Sequence, residues 1–440
     1  MKRACIKLNA NTDEQNASST CLSTGRIRPI KINFARMKVK SHAPRIIGAM
    51  IILIIFSALL SNCDIKESDV SPASSYTKVY ESANTQESYY PLDIIQTNDK
   101  GFLILSSMID KDQQAEIFFP RIHLTKVNEV GHFEWQQQID NNYLSAVSKI
   151  MSVNNQIFIL CMKNLNSALL QVTPGKDSAT INEINTDSDR PYPLAAFIDN
   201  QTIITSSYFD QTTHINAYDL NFNRLWSSSE PTGEDIIVDI RQHLTRQGTE
   251  YPFFIGKLND QDTYFANAFR RSTLSLMFIQ SGGNLSGYLT SFQDKGVISS
   301  CVHLQEDQFA ISRYYTGDNF VYPGVSVDIN THTTAKDYND ILLADLKSNA
   351  RINVMHDEFN SMNLILYAST SKTNQISLYF FDAKDNSLVK THFLGHTNPV
   401  EIASLIRADD GSLIVLGKTW VSGRYQRIIL YKISLDELGF

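Results

Sequence analysis

Two stretches far apart in the chain decide the fold: Asp93–Met108, DIIQTNDKGFLILSSM, and Ser404–Thr419, SLIRADDGSLIVLGKT. Each places an Asp-Gly-type turn, Asn98-Asp99-Lys100-Gly101 or Asp409-Asp410-Gly411, between two apolar runs. Such turns supply the positive φ that a tight β-hairpin needs, so each stretch predicts a hairpin. Both hairpins are followed by a polar connection and then by a matching strand signature, RIHLTKV at Arg121–Val127 and RIILYKI at Arg427–Ile433. One structural unit is therefore used at both ends of the chain.

Weaker copies fill the interval. AVSKIMSVNNQIFILCM at 146–162, LAAFIDNQTIITSSY at 194–208, ISSCVHLQEDQFAISRY at 298–314 and INVMHDEFNSMNLILYAS at 352–369 each read as strand, polar turn, strand. The copy around 236–287 is the least regular, though IIVDIRQ and YPFFIGKL still read as strands. Units begin near residues 93, 144, 192, 236, 296, 351 and 400, which are 44 to 60 residues apart. A period of that length with four short strands per unit predicts an all-β fold, a β-propeller of about seven four-stranded blades. The last unit has only three strands before the chain ends. The alternating segment Tyr76–Glu81, YTKVYE, has no partner of its own and is expected to pair with Ile428–Ile433, closing the ring with an N-terminal strand in the last blade.

The N-terminal region reads as targeting. Lys38, Lys40 and Arg45 precede a charge-free run, Ile46–Cys63, the layout of a secretory signal peptide. A transmembrane anchor is the rival reading, but the apolar part ends at Leu60 and as a helix would span roughly 22 Å, short of a hydrocarbon core of about 30 Å. Leu60-Ser61-Asn62-Cys63 resembles the lipobox of bacterial lipoproteins, with Asn62 where a small residue is usual. The resemblance implies lipidation of Cys63 and attachment to a membrane through the acyl chains. The expected organisation is a disordered segment or over-extended start over residues 1–36, a signal peptide over 37–62, an acidic and polar tether over 63–75, and the propeller over 76–440. The start of the tether, Asp64-Ile65-Lys66-Glu67-Ser68-Asp69, resembles the signal that sends lipoproteins of Bacteroidota to the cell surface; a solvated linker has the same composition.

Removing residues 1–62 takes away ten of the 39 Lys and Arg but two of the 46 Asp and Glu, leaving a net charge of −15. An acidic surface of that size repels phosphate backbones and argues against nucleic acid as a partner. Beyond Cys63 there remain Cys161 and Cys301, both in apolar strand-like runs, which read as buried free thiols rather than a disulfide.

The hairpin-plus-"(I/L)-x-L-x-K-(V/I)" unit, with Trp135 and Trp226 ending two of the copies, resembles the propeller repeats of surface lipoproteins of Bacteroidota. More loosely it is similar to quinoprotein-like propellers, among them the lipoprotein propeller of the outer-membrane-protein insertion machinery. The resemblance implies a location at the bacterial outer membrane, on the cell surface or the periplasmic face. It identifies architecture and carries no activity. The two tryptophans read as packing residues between blades.

No HExxH, GxSxG, Walker or CxxC pattern occurs after Cys63, and no two of the nine histidines there are spaced as metal ligands on one face. No catalytic residue, metal or cofactor is therefore assigned. The stretch Arg313–Gly324, RYYTGDNFVYPG, stands out as an aromatic-rich loop between two strands, and Tyr314, Tyr315, Asp318, Phe320 and Tyr322 are the candidate binding residues. The alternative is that these rings fold back onto the propeller. Two functions remain open: a non-catalytic binding or scaffold module for an envelope protein or glycan, and a saccharide-acting hydrolase or lyase with its site at the central mouth. Acids, His or Arg converging on the axis would favour the second.

Overall fold

The computed structural model describes residues 71, 74–81, 87–110, 118–259, 261–291, 295–395, 398–421 and 425–440. The signal segment, Cys63 and the start of the tether lie outside these residues. Among the described residues the chain is almost entirely β-strand, with two α-helices, Ile237–Thr245 and Leu435–Leu438.

Antiparallel pairing arranges the strands as successive meanders. The first is Glu87–Gln96, Phe102–Asp110, Arg121–Val127 and Phe133–Gln138. The second runs from Met151–Val153 through Gln156–Lys163 and Asn166–Pro174 to Ala179–Pro191. The third spans residues 193–231, the fourth 255–290 and the sixth 353–394, each with four strands. The fifth is Val297–Gln305, Gln308–Tyr315 and Asp318–Ser326, completed by the two-residue strand Ile341–Leu342. The seventh consists of Val400–Arg407, Leu413–Val421 and Tyr425–Ile433. Its fourth strand is Tyr76–Tyr80, paired antiparallel from Tyr76 opposite Lys432 to Tyr80 opposite Ile428, as the alternation of YTKVYE predicts. Short bridges at Tyr143–Leu144 and at Leu274–Val297 join the first meander to the second and the fourth to the fifth.

The turns explain the periodicity. Asn154 and Asn155 both have positive φ (49° and 64°), as do Asn360 and Ser361 (48° and 67°), the signature of the two-residue hairpin turn whose twist matches its strands. In the end units the turn carboxylate has a second role. Lys126 and Lys432, the lysines of the repeated "L-x-K" strand, are buried, and they pair with Asp99 (2.9 Å) and Asp410 (2.6 Å) of the hairpin turns. The lysine stem fills apolar space while its head meets the turn, so the Asp, the Gly and the Lys recur together.

The second and third strands of a meander are buried on both faces by apolar side chains of neighbouring meanders. Leu103, Ile104 and Leu105 are consecutive and all fully buried. A continuous apolar run is what such a strand requires, and each such side chain contributes about 1.5–3 kcal/mol on burial. The buried apolar side chains form seven clusters. Six draw mainly on two consecutive meanders; the seventh joins Ile94, Phe102 and Ile104 of the first meander to Ile414, Leu416 and Leu430 of the last. Polar ties reinforce that junction. Buried Asp93 accepts from Ser404 Oγ (2.5 Å) on one side and from the Ile150 N–H (2.7 Å) on the other. Tyr80 Oη donates to the Gly131 carbonyl (2.9 Å) and Arg427 to the Glu87 carbonyl (2.6 Å). Trp135 is buried and donates its indole N–H to the Gly175 carbonyl of the next meander (3.0 Å), and Trp226 lies against Tyr264 with ring centroids 6.1 Å apart, so both tryptophans are packing residues. Cys161 and Cys301 are free thiols.

One expectation is corrected. IIVDIRQ is not a strand: Ile237–Thr245 is an α-helix. Ile236, Ile240 and Leu244 recur every four residues and are all buried, a spacing that puts them on one helical face, and the β-branched run at 236–238 hid that period.

Candidate functional site

The candidate binding stretch is a regular hairpin, Gln308–Tyr315 turning at Thr316-Gly317 into Asp318–Ser326. Alternation along these strands sends its rings both ways. Tyr322 is 2% exposed, inside the cluster shared by the fourth and fifth meanders, and its hydroxyl accepts from Arg313 Nε (2.5 Å). Tyr314 is buried as well. Phe320 is half-buried under the Arg313 guanidinium, 4.5 Å from its centroid, while Tyr315 is half-buried and Asp318 exposed at the hairpin tip. The expectation of an exposed aromatic loop is thus corrected for Tyr314 and Tyr322, whose rings fold back as core. Five residues adjacent in sequence do not form one surface.

Tyr314 does reach a site, and it is one that no local pattern announces. Its hairpin faces a cavity of ≈ 340 Å³ where several meanders converge. Tyr90 comes from the first meander, Glu250 and Tyr251 from the segment after the helix, Tyr314 from the fifth meander, Lys347 and Arg351 from the connection into the sixth, and Glu401 from the seventh. The helix sits beside it. Ser145 Oγ donates to the Leu244 carbonyl (3.0 Å), Arg246 to the Ala146 carbonyl (3.2 Å) and Arg241 to Tyr192 Oη (3.0 Å), so the helix is fastened to the second and third meanders.

The charges are ordered. Glu401 receives Lys347 (2.5 Å) and Lys418 (2.9 Å). Burial pushes its carboxyl up, but the two lysines outweigh burial and hold it below the usual range. Lys418 Nζ lies 4.0 Å from the centroid of Tyr90, a cation–π contact, and despite burial Tyr90 and Glu401 keep its ammonium favoured. Arg246 pairs with Glu250 at 3.4 Å, and its Nε is buried without a hydrogen-bond partner. Burial pushes Tyr251 up to about 12, and Asp239 adds to the shift; burial likewise raises Tyr90 and Tyr314. These phenols are neutral donors at physiological pH. His243, beneath the site, accepts from the Tyr251 N–H (3.1 Å), and burial with Arg246 and Arg351 nearby keeps its imidazole neutral. Arg351, which lines the cavity, completes the set: among the described residues no carboxylate lies within ion-pair distance of its guanidinium. Both carboxylates are engaged by cations, so the arrangement is built to hold polar groups rather than to leave a base free.

The contributing residues lie in six chain segments separated by up to 312 positions, from Tyr90 to Ile402. Only Tyr314 carried a sequence signal, and for a different reason.

At the level of sequence, no protein-family model and no curated protein matches the chain. Solved structures do resemble it. The Dos1 propeller is similar at 11% identity and a TM-score of 0.45, over 83% of this chain and 96% of that one. The β-propeller domain of the Trilobed protease from Pyrococcus furiosus is similar at 8% identity and a TM-score of 0.42, over 79% and 95%. The AfRom2 CNH domain is similar at 8% identity and a TM-score of 0.43, over 81% and 98%.

Proposed function

We propose that residues 76–440 form a seven-bladed β-propeller held at the bacterial outer membrane by a lipid on Cys63, and that the domain is a non-catalytic binding module for an envelope protein or glycan. The seven meanders and the seven clusters between them support the blade count: a row of seven sheets has six interfaces, whereas a ring has seven. Tyr76–Tyr80 acts as the ring-closing strand, joining the start of the domain to its last blade. The observation that carries the binding role is the central cavity, where tyrosines and charged side chains from separate blades meet in a pocket of a size suited to a small ligand or the end of a chain. Tyr315, Asp318 and Phe320 at the hairpin tip provide a further contact surface for a protein partner.

A second reading has a specific observation behind it. Glu250 and Glu401 converge on the cavity with Lys347 and Arg351, the arrangement expected if the domain cleaves saccharides. Their ion pairs favour binding. The experiment is to incubate the full chain with isolated envelope glycans and measure both retention and products. Retention without new chain ends supports the module, whereas new reducing or unsaturated ends that vanish in Glu401→Gln and Glu250→Gln establish the enzyme.

A further inference from the structure

We infer that the central cavity is selective for a carboxylate carried on a sugar-sized, hydroxyl-rich ring, a uronate, with Arg351 as its principal anchor. The inference rests on the proposal that the mouth is the ligand site and adds the chemistry of the ligand.

The charges around the cavity are not balanced. Lys347 and Arg351 line the cavity beside Glu250 and Glu401, Arg246 and Lys418 pair with those two carboxylates, and Asp239 accepts from Tyr251 Oη (3.3 Å), so four cations face three carboxylates, an excess of one positive charge in a chain whose part beyond residue 62 carries a net −15. The pairing locates the excess. Arg246 is answered by Glu250, Glu401 is shared by two lysines, and Arg351 has no carboxylate partner among the described residues. A planar guanidinium with a free fork matches a carboxylate geometrically, and in a concave, partly desolvated site that contact is favoured over the same contact in water. An acidic surface elsewhere repels anions, so the mouth is the place where one is attracted.

The rest of the lining sets what may accompany that charge. Glu250 and Glu401 repel a second negative group but accept hydrogen bonds from hydroxyls. Tyr90, Tyr251 and Tyr314 offer neutral phenols and apolar ring area. One negative charge with many hydroxyls on a compact ring fits this lining. A peptide of several acidic residues, or a phosphate dianion, brings more negative charge than the one unanswered cation, Arg351, can balance. A cavity of ≈ 340 Å³ admits one or two rings.

The test is calorimetric titration of the detergent-solubilised full chain with three probes: a glucuronate-containing disaccharide, its neutral glucose counterpart and a Glu-rich peptide. The uronate is expected to bind at least about tenfold more tightly than the neutral sugar. Arg351→Gln should remove that preference and Arg351→Lys restore part of it, while Lys176→Gln on the exposed surface leaves it unchanged. An unaltered melting temperature shows that the variants fold, and Lys347→Gln, expected to reduce the preference, is a second probe of the same charge. Equal affinity for uronate and neutral sugar, with both weakened by Tyr251→Ala, overturns the uronate assignment and leaves the mouth as a saccharide site. Binding of the peptide alone overturns the sugar. Uronate affinity untouched by Arg351→Gln and Lys347→Gln overturns both the anchor and the proposed site.

Discussion

Asp93 offers the sharpest test of how the two ends of the domain are joined. It is 4% exposed on the first strand of the first meander and accepts from Ser404 Oγ of the last meander (2.5 Å) and from the Ile150 N–H ahead of the second (2.7 Å). Three meanders thus share one carboxylate. A hydrogen bond to a charged group contributes about 1.5–3 kcal/mol, and Asp93→Ala removes two while leaving a buried amide N–H and a hydroxyl without acceptors, so a loss of about 3–5 kcal/mol is expected. Against a typical total of about 5–15 kcal/mol this is a large fraction. Ser404→Ala removes one bond and should cost about 1–3 kcal/mol. Because the two residues share that bond, the double variant should be less destabilised than the sum, by about 1 kcal/mol or more. Equilibrium urea unfolding of the four proteins measures each value. Additive effects, or an Asp93→Ala variant within about 0.5 kcal/mol of the parent, would refute the idea that this carboxylate ties the first meander to the last.

Three other outcomes are expected. Deleting residues 1–86 removes Tyr76–Tyr80 and leaves Tyr425–Ile433 as an open edge, so the truncated protein should melt well below the parent and self-associate in sedimentation; an unchanged monomer with an unchanged melting point would show that the strand is dispensable. Burial lowers the His123 imidazole from 6.5 to about 4, so between those values the unfolded chain binds a proton that the folded chain does not. Stability from this residue is therefore full above pH 6.5, falls by up to about 3 kcal/mol as the pH drops to 4, and is flat below; unfolding curves at several pH values should show a shallower slope in His123→Gln, and identical slopes would count against it. Cys63→Ser should abolish labelling by a tagged fatty acid and move the protein from the membrane to the soluble fraction, whereas label retained in the variant sinks the lipid anchor.

What the sequence determined by itself is the local and the repeated. Asp99-Lys100-Gly101 and Asp409-Asp410-Gly411 can be read because a tight turn constrains the residues that make it, and the strands beside them because a strand covered on both faces must be apolar throughout. The pairing of Tyr76–Tyr80 was legible by counting strands, since an unpaired edge and an unpartnered strand imply one another. The helix at Ile237–Thr245 was missed because Ile and Val satisfy strand propensity while their four-residue spacing satisfies a helix, and tertiary burial of Ile240 and Leu244 selected the helix. The direction of Tyr314 and Tyr322 was likewise undecided in the chain: a ring among Gly, Asp and Asn serves as well on a surface as in a core, and the neighbouring meanders decided it. The mouth belongs wholly to the tertiary structure. Tyr90, Arg351 and Glu401 are unremarkable in their local contexts, and they become a site because the packing of the sheets brings segments hundreds of residues apart to one cavity, where burial changes what each charge must do.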